Sequence, residues 1–425
     1  MIRTHIIPCN LPKAVCDALN EESGRIYSQV CVCHWRTYRK KQIWLSSRSA
    51  EKINDFLRRG IPGGLHAHTV DAAQQGFYRA CQAAREARKA GLEHLKYPYK
   101  RKRYRTTIWK NTAVRRNGDA LVLSNGRGRR RIDIKLPEAL REVLRILEVR
   151  LVFDRKSGRY CWHIVAENGR QPAAPPGENI VAADLGEVHP AVVGDEQEAV
   201  IITCRALRHA KQGHNKRRSQ ISRALSRTKR GSRRHRRLCR ARTRLNGKHS
   251  RVVRDLEHKI SRAIVKVAQE RGAGTIVVGD VRQAANGVAF SKAANQKISQ
   301  WSHGKIRQYV AYKAAAAGMR VVMQNEAHTT QTCPNCGARH KPKGRVYLCP
   351  ACRFQSHRDV VGQVNILSAY KHGEPGKIPA PSVIKHRIPH NLRVMRRRRD
   401  TGQRAFAQEI SSVACRQLQE AASLQ

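Results

Sequence analysis

The chain has 425 residues, enough for two to four folding units at about 150 residues each. Its 84 Lys and Arg against 31 Asp and Glu leave a net charge of +53, which calls for a polyanionic partner such as nucleic acid, while 40% hydrophobic residues exclude global disorder. No apolar run approaches the roughly 18 residues of a membrane span, and the first residues lack a signal-peptide core, so the reading is a cytoplasmic protein without membrane contact whose thirteen cysteines are reduced.

Residues 1–95 read as a helical region, with segments at 49–59 and 68–90 separated by Gly60-Ile-Pro-Gly-Gly64. Residues 96–170 turn basic and β-prone. Strands at 104–114, 120–124, 131–136 and 149–166, punctuated by Asn117-Gly118, Asn125-Gly126 and Ser157-Gly158, suggest a small β-barrel with one helix at 137–147. A Pro-rich linker at 171–177 marks the clearest boundary. Residues 178–204 form a pair of strands, and 205–254 form a basic helical insertion. Residues 255–328 alternate helix and strand, with strands at 274–278 and 319–324. A last helix follows at 359–369, and a basic tail, partly disordered, occupies 373–425.

Cys333-Pro-Asn-Cys336 and Cys349-Pro-Ala-Cys352 are two Cys-x-x-Cys knuckles. Each turn offers two thiolates, and the segment between them supplies the reach to close a structural Zn²⁺ site of four thiolates in a ribbon at 329–356. The intervening tip carries Lys341, Lys343 and Arg345, suited to phosphate. The remaining cysteines are assigned no metal.

Metal-dependent phosphodiester cleavage needs carboxylates converging from several elements. Asp184 ends an apolar strand before Leu185-Gly186, and alone reads as a turn residue. Asp359 follows His357-Arg358 at a helix start, and alone reads as an N-cap. Taken in order, Val181-Ala-Ala-Asp184-Leu-Gly186, Val277-Val-Gly-Asp280, the four-cysteine ribbon and His357-Arg-Asp359 through Asn365-Ile366 resemble the TnpB family of transposon-encoded, RNA-guided DNA nucleases, which are similar to compact type V CRISPR effectors. The resemblance implies a multidomain α+β protein. It comprises a helical recognition lobe to which the N-terminus adds a wedge strand, a β-barrel wedge, and a split RNase H-like (RuvC) domain at 178–204, 255–328 and 357–372 that carries the insertion and the ribbon.

Asp184 and Asp359 match the family's first and third acidic residues. The second, normally Glu at a strand end, is Gly279 here. Three readings stay open. Asp280 substitutes, although strand alternation turns it to the other face; or the site is dead and the protein is a guided binder or repressor; or the acid is relocated to Glu326, at the end of the next strand. We assign Asp184, Glu326 and Asp359 as catalytic Mg²⁺ ligands.

Residues 205–254 hold twenty Lys and Arg and no acid, so phosphates are the natural counter-charge, with Arg217, Arg218, Arg230, Arg233, Arg234, Arg236 and Arg237 as contacts. By resemblance the partners are a guide RNA and double-stranded DNA bearing a short adjacent motif, in a prokaryotic, nucleoid-associated setting. A transposase that joins DNA strands is the remaining alternative.

Overall fold

The computed structural model describes residues 2–58, 64–126, 128–141, 143–169, 171–280 and 291–390. The chain opens with strand β1 (Ile2–Pro8) and helices α1 (Lys13–Lys41), α2 (Ser47–Arg58) and α3 (Ala67–Lys89). The three helices enclose a small core around Tyr27, Val30, Phe77 and Cys81. Buried Asn20 ties α1 to the β region that follows: its Oδ1 accepts from the Thr107 amide at 3.0 Å, and its Nδ2 donates to the Leu151 carbonyl at 3.3 Å. Among the described residues no helix is long and apolar enough to cross a membrane.

Strands β2 (Thr107–Lys110), β3 (Val114–Asn117), β4 (Ala120–Leu123), β5 (Ile132–Lys135), β6 (Arg145–Asp154) and β7 (Arg159–Glu167) form two antiparallel sheets, not a closed barrel. One has the order β1-β7-β6-β2 and the other β3-β4-β5. A single 3-10 turn at Asn111–Ala113 breaks what the sequence presents as one strand, so β2 and β3 join different sheets. The sheets share a core that includes Trp109, Leu121, Ile134, Val149 and Trp162. No α-helix forms among the described residues of 137–147, where one is expected. Residues Glu138–Leu140 make one 3-10 turn, and β6 begins at Arg145, because the strand from there to Asp154 pairs with β7 and buries Val149 and Leu151.

The second half is built on a six-stranded sheet. Its elements in chain order are β8 (Asn179–Asp184), β9 (Ala191–Gly194), β10 (Glu198–Ile202), α4 (Arg205–Ser226), α5 (Arg233–Glu270), β11 (Ala273–Asp280), α6 (Lys292–Ser299), α7 (His303–Ala316), β12 (Arg320–Asn325), β13 (Val346–Leu348), β14 (Gln355–His357), α8 (Arg358–His372) and β15 (Val383–Arg387). The order is β12-β11-β8-β9-β10-β15, with β8, β11 and β12 parallel and β9 antiparallel to both neighbours.

Alternation along the strands decides which helix each residue meets. Val181, Ala183, Ile276 and Val278 face the core made with α5 and α7, whereas Ala182 and Val277 face α8. Helix α5 runs unbroken through 254/255, so its exposed basic half and its buried apolar half, around Ile260 and Ile264, are one rod. The described part of the basic tail carries a strand. β15 pairs in parallel with β10, clamped by Lys385 on Glu198 at 2.7 Å and Arg387 on Glu270 at 2.6 Å. The tail from 391 onward lies outside the described residues.

Candidate active site and zinc ribbon

Asp184, at the C-terminal edge of the parallel strands, lies within electrostatic reach of both Glu326 and Asp359. Asp184 ends β8 and follows Ala182 onto the α8 face. Asp359 lies in the first turn of α8, and Gly362, one turn on, shares its face. A Cβ added at Gly362 would come 2.5 Å from the Asp184 Oδ2, so glycine is what lets that carboxylate lie against the helix. Glu326 follows β12 directly. A Cβ at Gly279 would overlap its carboxylate and come 2.6 Å from its Cγ, so the glutamate fills the space where a side chain at 279 would begin.

Asp280 approaches from the other side of β11, although its charge still acts on Glu326. It follows Val278 onto the opposite face, where Arg307 of α7 lies 3.6 Å from its Oδ1.

Burial and mutual repulsion dominate the electrostatics of Asp184 and Glu326. Burial first, then Glu326 and Asp359, push Asp184 well above the usual carboxylate range, against the opposing pull of Arg358. Burial, with a contribution from Asp280, raises Glu326 to about 7. Its Oε1 is buried without a hydrogen-bond partner among the described residues. An orphaned carboxylate oxygen, with the Asp184 carboxylate in electrostatic reach, is the kind of oxygen donor that hard divalent cations such as Mg²⁺ take.

The four cysteines converge as their spacing suggests. Cys333 and Cys352 sulfurs lie 3.7 Å apart and Cys336 and Cys349 sulfurs 3.6 Å apart, close to the tetrahedron edge of about 3.8 Å set by Zn–S bonds near 2.3 Å. The ribbon is pinned to α8 by buried Asn365, whose Nδ2 donates to the Thr329 and Thr332 carbonyls at 2.7 and 2.8 Å. Pairing of β13 with β14 brings Arg345 beside the helix start. The Arg358 amide donates to the Arg345 carbonyl at 2.9 Å, and the Arg345 guanidinium stands 3.6 Å from Asp359 Oδ2. Arg345, read from the sequence as a phosphate contact, thus sits against a carboxylate of the site, whereas Lys341 and Lys343 stay exposed at the tip.

Arg217 and Arg218 lie on α4, Arg230 in the following turn, and Arg233, Arg234, Arg236 and Arg237 on the first turns of α5. All seven are exposed, remote in sequence from any acid. Sequence reasoning passed over His189, between β8 and β9, which the fold brings to His357 and Asp359. The only local signal was His357 two residues before Asp359, where its Nδ1 caps α8 by accepting from the Asp359 amide at 3.2 Å.

Residues 163–285 match a family described as "Probable transposase", and residues 303–366 match "Cas12f1-like, TNB domain". A TnpB-like protein of Methanocaldococcus jannaschii is 28% identical over 143 residues, 33% of this chain and 51% of that protein. The CRISPR-associated endodeoxyribonuclease Cas12f1 of Sulfoacidibacillus thermotolerans is 27% identical over 112 residues, 26% of this chain and 25% of its own. A TnpB-like protein of Acanthamoeba polyphaga mimivirus is 30% identical over 123 residues, covering 28% and 24%. The chain therefore spans about half or less of these relatives. Among solved structures, a Cas12f1–sgRNA–target DNA complex has a protein of similar fold, with a TM-score of 0.56 at 12% identity over 83% of this chain and 82% of that one. The RNA-guided endonuclease Cas_phi3 gives a TM-score of 0.50 at 11% identity over 90% and 94%.

Proposed function

Because the chain belongs to the TnpB family, we propose that it is an RNA-guided DNA endonuclease that hydrolyses phosphodiester bonds at Asp184, Glu326 and Asp359. The observation that carries this reading is the fit of Glu326 into the space vacated at Gly279. A glycine where the family has its second acid would mark a lost nuclease only if nothing replaced the acid. Here the replacement occupies the side-chain position itself. The order β10-β9-β8-β11-β12, three antiparallel strands and then two parallel ones, supports an RNase H-like domain of the RuvC type.

Asp184, Glu326 and Asp359 would hold Mg²⁺, which when bound activates water and neutralises charge on the scissile phosphate. The chain's own residues do the rest. The strand ends and α8 would hold the three carboxylates, and Gly279 and Gly362 would clear the room they need. Exposed arginines of α4 and α5 would grip the phosphates of a guide–target heteroduplex by charge and shape, leaving sequence to base pairing. The zinc ribbon would present Lys341 and Lys343 to the DNA strand and bring Arg345 to the site. The description of residues 163–285 as transposase suits the same carboxylates, but the four-thiolate ribbon placed just ahead of Asp359 favours the nuclease.

The test is Mg²⁺-dependent cleavage of a plasmid library with randomised flanks, using protein expressed with its native flanking RNA. Cleavage by the wild type, and its loss in Glu326→Ala with guided binding retained, is the expected result. Guided binding without cleavage by the wild type would overturn the nuclease in favour of a binder.

A further inference from the structure

Beside the three carboxylates, the fold assembles a second donor set of different chemistry. His189 from the β8–β9 connection, His357 from the end of β14 and Asp359 from the first turn of α8 each offer one ligand atom, and these atoms lie within 4.8 Å of one another. We propose that this trio binds a borderline divalent cation of the first transition row, such as Mn²⁺, in preference to Mg²⁺. The inference rests on the nuclease reading only in that the two sites share Asp359.

The donor types decide the preference. Imidazole suits transition ions, whereas Mg²⁺ takes oxygen ligands and dehydrates reluctantly. Two imidazoles and one carboxylate also leave open positions for water or a phosphate oxygen, as in other sites with two histidines and one carboxylate. The surroundings orient the rings. The Thr203 hydroxyl lies 3.4 Å from His189 Nδ1, and with that nitrogen as donor the lone pair falls on Nε2, the arrangement in which an outer partner fixes a ligating tautomer. The rings of His189 and His357 are 5.4 Å apart and inclined at 72°, so they converge without stacking. His357 gives its Nδ1 lone pair to the Asp359 amide over a long 3.2 Å, a cap it can exchange for a coordinate bond.

A cation already stands against the trio: Arg345, 3.6 Å from Asp359 Oδ2, is carried on an exposed side chain that can swing out. A bound Mn²⁺ would replace it, and the displaced guanidinium would then be free for a phosphate. The relationship has a sign: removing the Arg345 charge should tighten Mn²⁺ binding.

The experiment is pulsed electron paramagnetic resonance on the zinc-loaded full-length protein with Mn²⁺ added. Imidazole ligation imprints nitrogen-14 modulation on the Mn²⁺ echo, a readout independent of activity. The expected result is nitrogen modulation in the wild type that weakens in His189→Gln and in His357→Gln and vanishes in the double variant. It should persist in Glu326→Gln, and Mn²⁺ affinity should rise in Arg345→Gln. Mn²⁺ bound without nitrogen modulation, no Mn²⁺ bound, or modulation surviving the double variant would each overturn the proposal. The plasmid cleavage assay run in parallel separates the two readings. Cleavage without nitrogen modulation sinks the imidazole site alone, and modulation without cleavage sinks the nuclease and leaves the imidazole site standing.

Discussion

Gly279 and Glu326 occupy one another's space: a Cβ on the first would overlap the carboxylate of the second. The parallel register of β11 with β12 sets Gly279 opposite Gln324, two residues before Glu326, so the acid reaches back over the neighbouring strand end. The absence of a side chain at 279 and the presence of an acid at 326 are therefore one feature of the site.

That coupling predicts the outcome of substitution at either position. Gly279→Ala should abolish cleavage by expelling the Glu326 carboxylate, although alanine adds a single methyl. Gly279→Glu combined with Glu326→Ala, which returns the acid to the position usual in the family, should recover part of the activity lost in Glu326→Ala. Rates on a guided plasmid substrate check both. Full activity in Gly279→Ala would dismiss the steric argument.

Gly362 makes a parallel case on α8. Alanine there should gain up to about 1 kcal/mol of helix propensity, yet its Cβ would meet Asp184 Oδ2 at 2.5 Å. We expect Gly362→Ala to keep the thermal midpoint within a few degrees while cleavage falls at least tenfold. A matched loss of stability and activity would mean that packing, not the carboxylate, is what the glycine serves.

Local patterns in the sequence carried some of this and could not carry the rest. The two Cys-x-x-Cys turns are readable because each forms within four residues, and Asp184 because an apolar strand ends beside it. The barrel was misread because Asn111–Ala113 gives no Gly or Pro signal where β2 ends and β3 begins. β15 was missed because Val383–Arg387 is short and largely exposed, and owes its place to pairing with β10 across about 180 residues. His189, His357 and Asp359 come from three separate elements, so only the folded chain shows them as neighbours.

The exposed arginines opening α5 should reveal themselves through salt. Each phosphate contact contributes roughly 0.7 to 0.9 to the slope of log affinity against log salt. Replacing Arg233, Arg234, Arg236 and Arg237 with Gln should therefore lower the slope for guide RNA or target binding by roughly 3, with little change in the guide-dependent choice of target. An unchanged slope would place these side chains away from phosphate.

The four-cysteine ribbon and the candidate active site are joined through Arg345 and Asn365, so a metal held by the ribbon should matter beyond its own fold. Cys349→Ser should release the zinc and loosen residues 329–357 in hydrogen exchange, since Thr329 and Thr332 are the acceptors that hold Asn365. Cleavage should fall with zinc content measured on the same samples. Retained cleavage in a zinc-free protein would confine the ribbon to a surface role.

Helices α4 and α5 also meet at a pair of histidines. The rings of His214 and His249 stack with centroids 3.9 Å apart, and His214 Nε2 lies 2.9 Å from Asn246 Oδ1. Burial first, then His214, Lys211 and Lys156, pushes His249 down from 6.5 to about 4. A histidine whose pKa is depressed on folding binds fewer protons in the native than in the unfolded chain below pH 6.5, so its contribution to stability is present above that pH and is lost as the pH falls toward 4. The packing of α4 on α5 should therefore loosen between pH 6.5 and 4. Hydrogen-exchange protection of residues 205–250 should drop over that window in the wild type, and drop less in His249→Phe, which keeps a stacked ring and cannot take the charge. Identical pH profiles for the two proteins would assign the acid sensitivity of this hairpin to some other group.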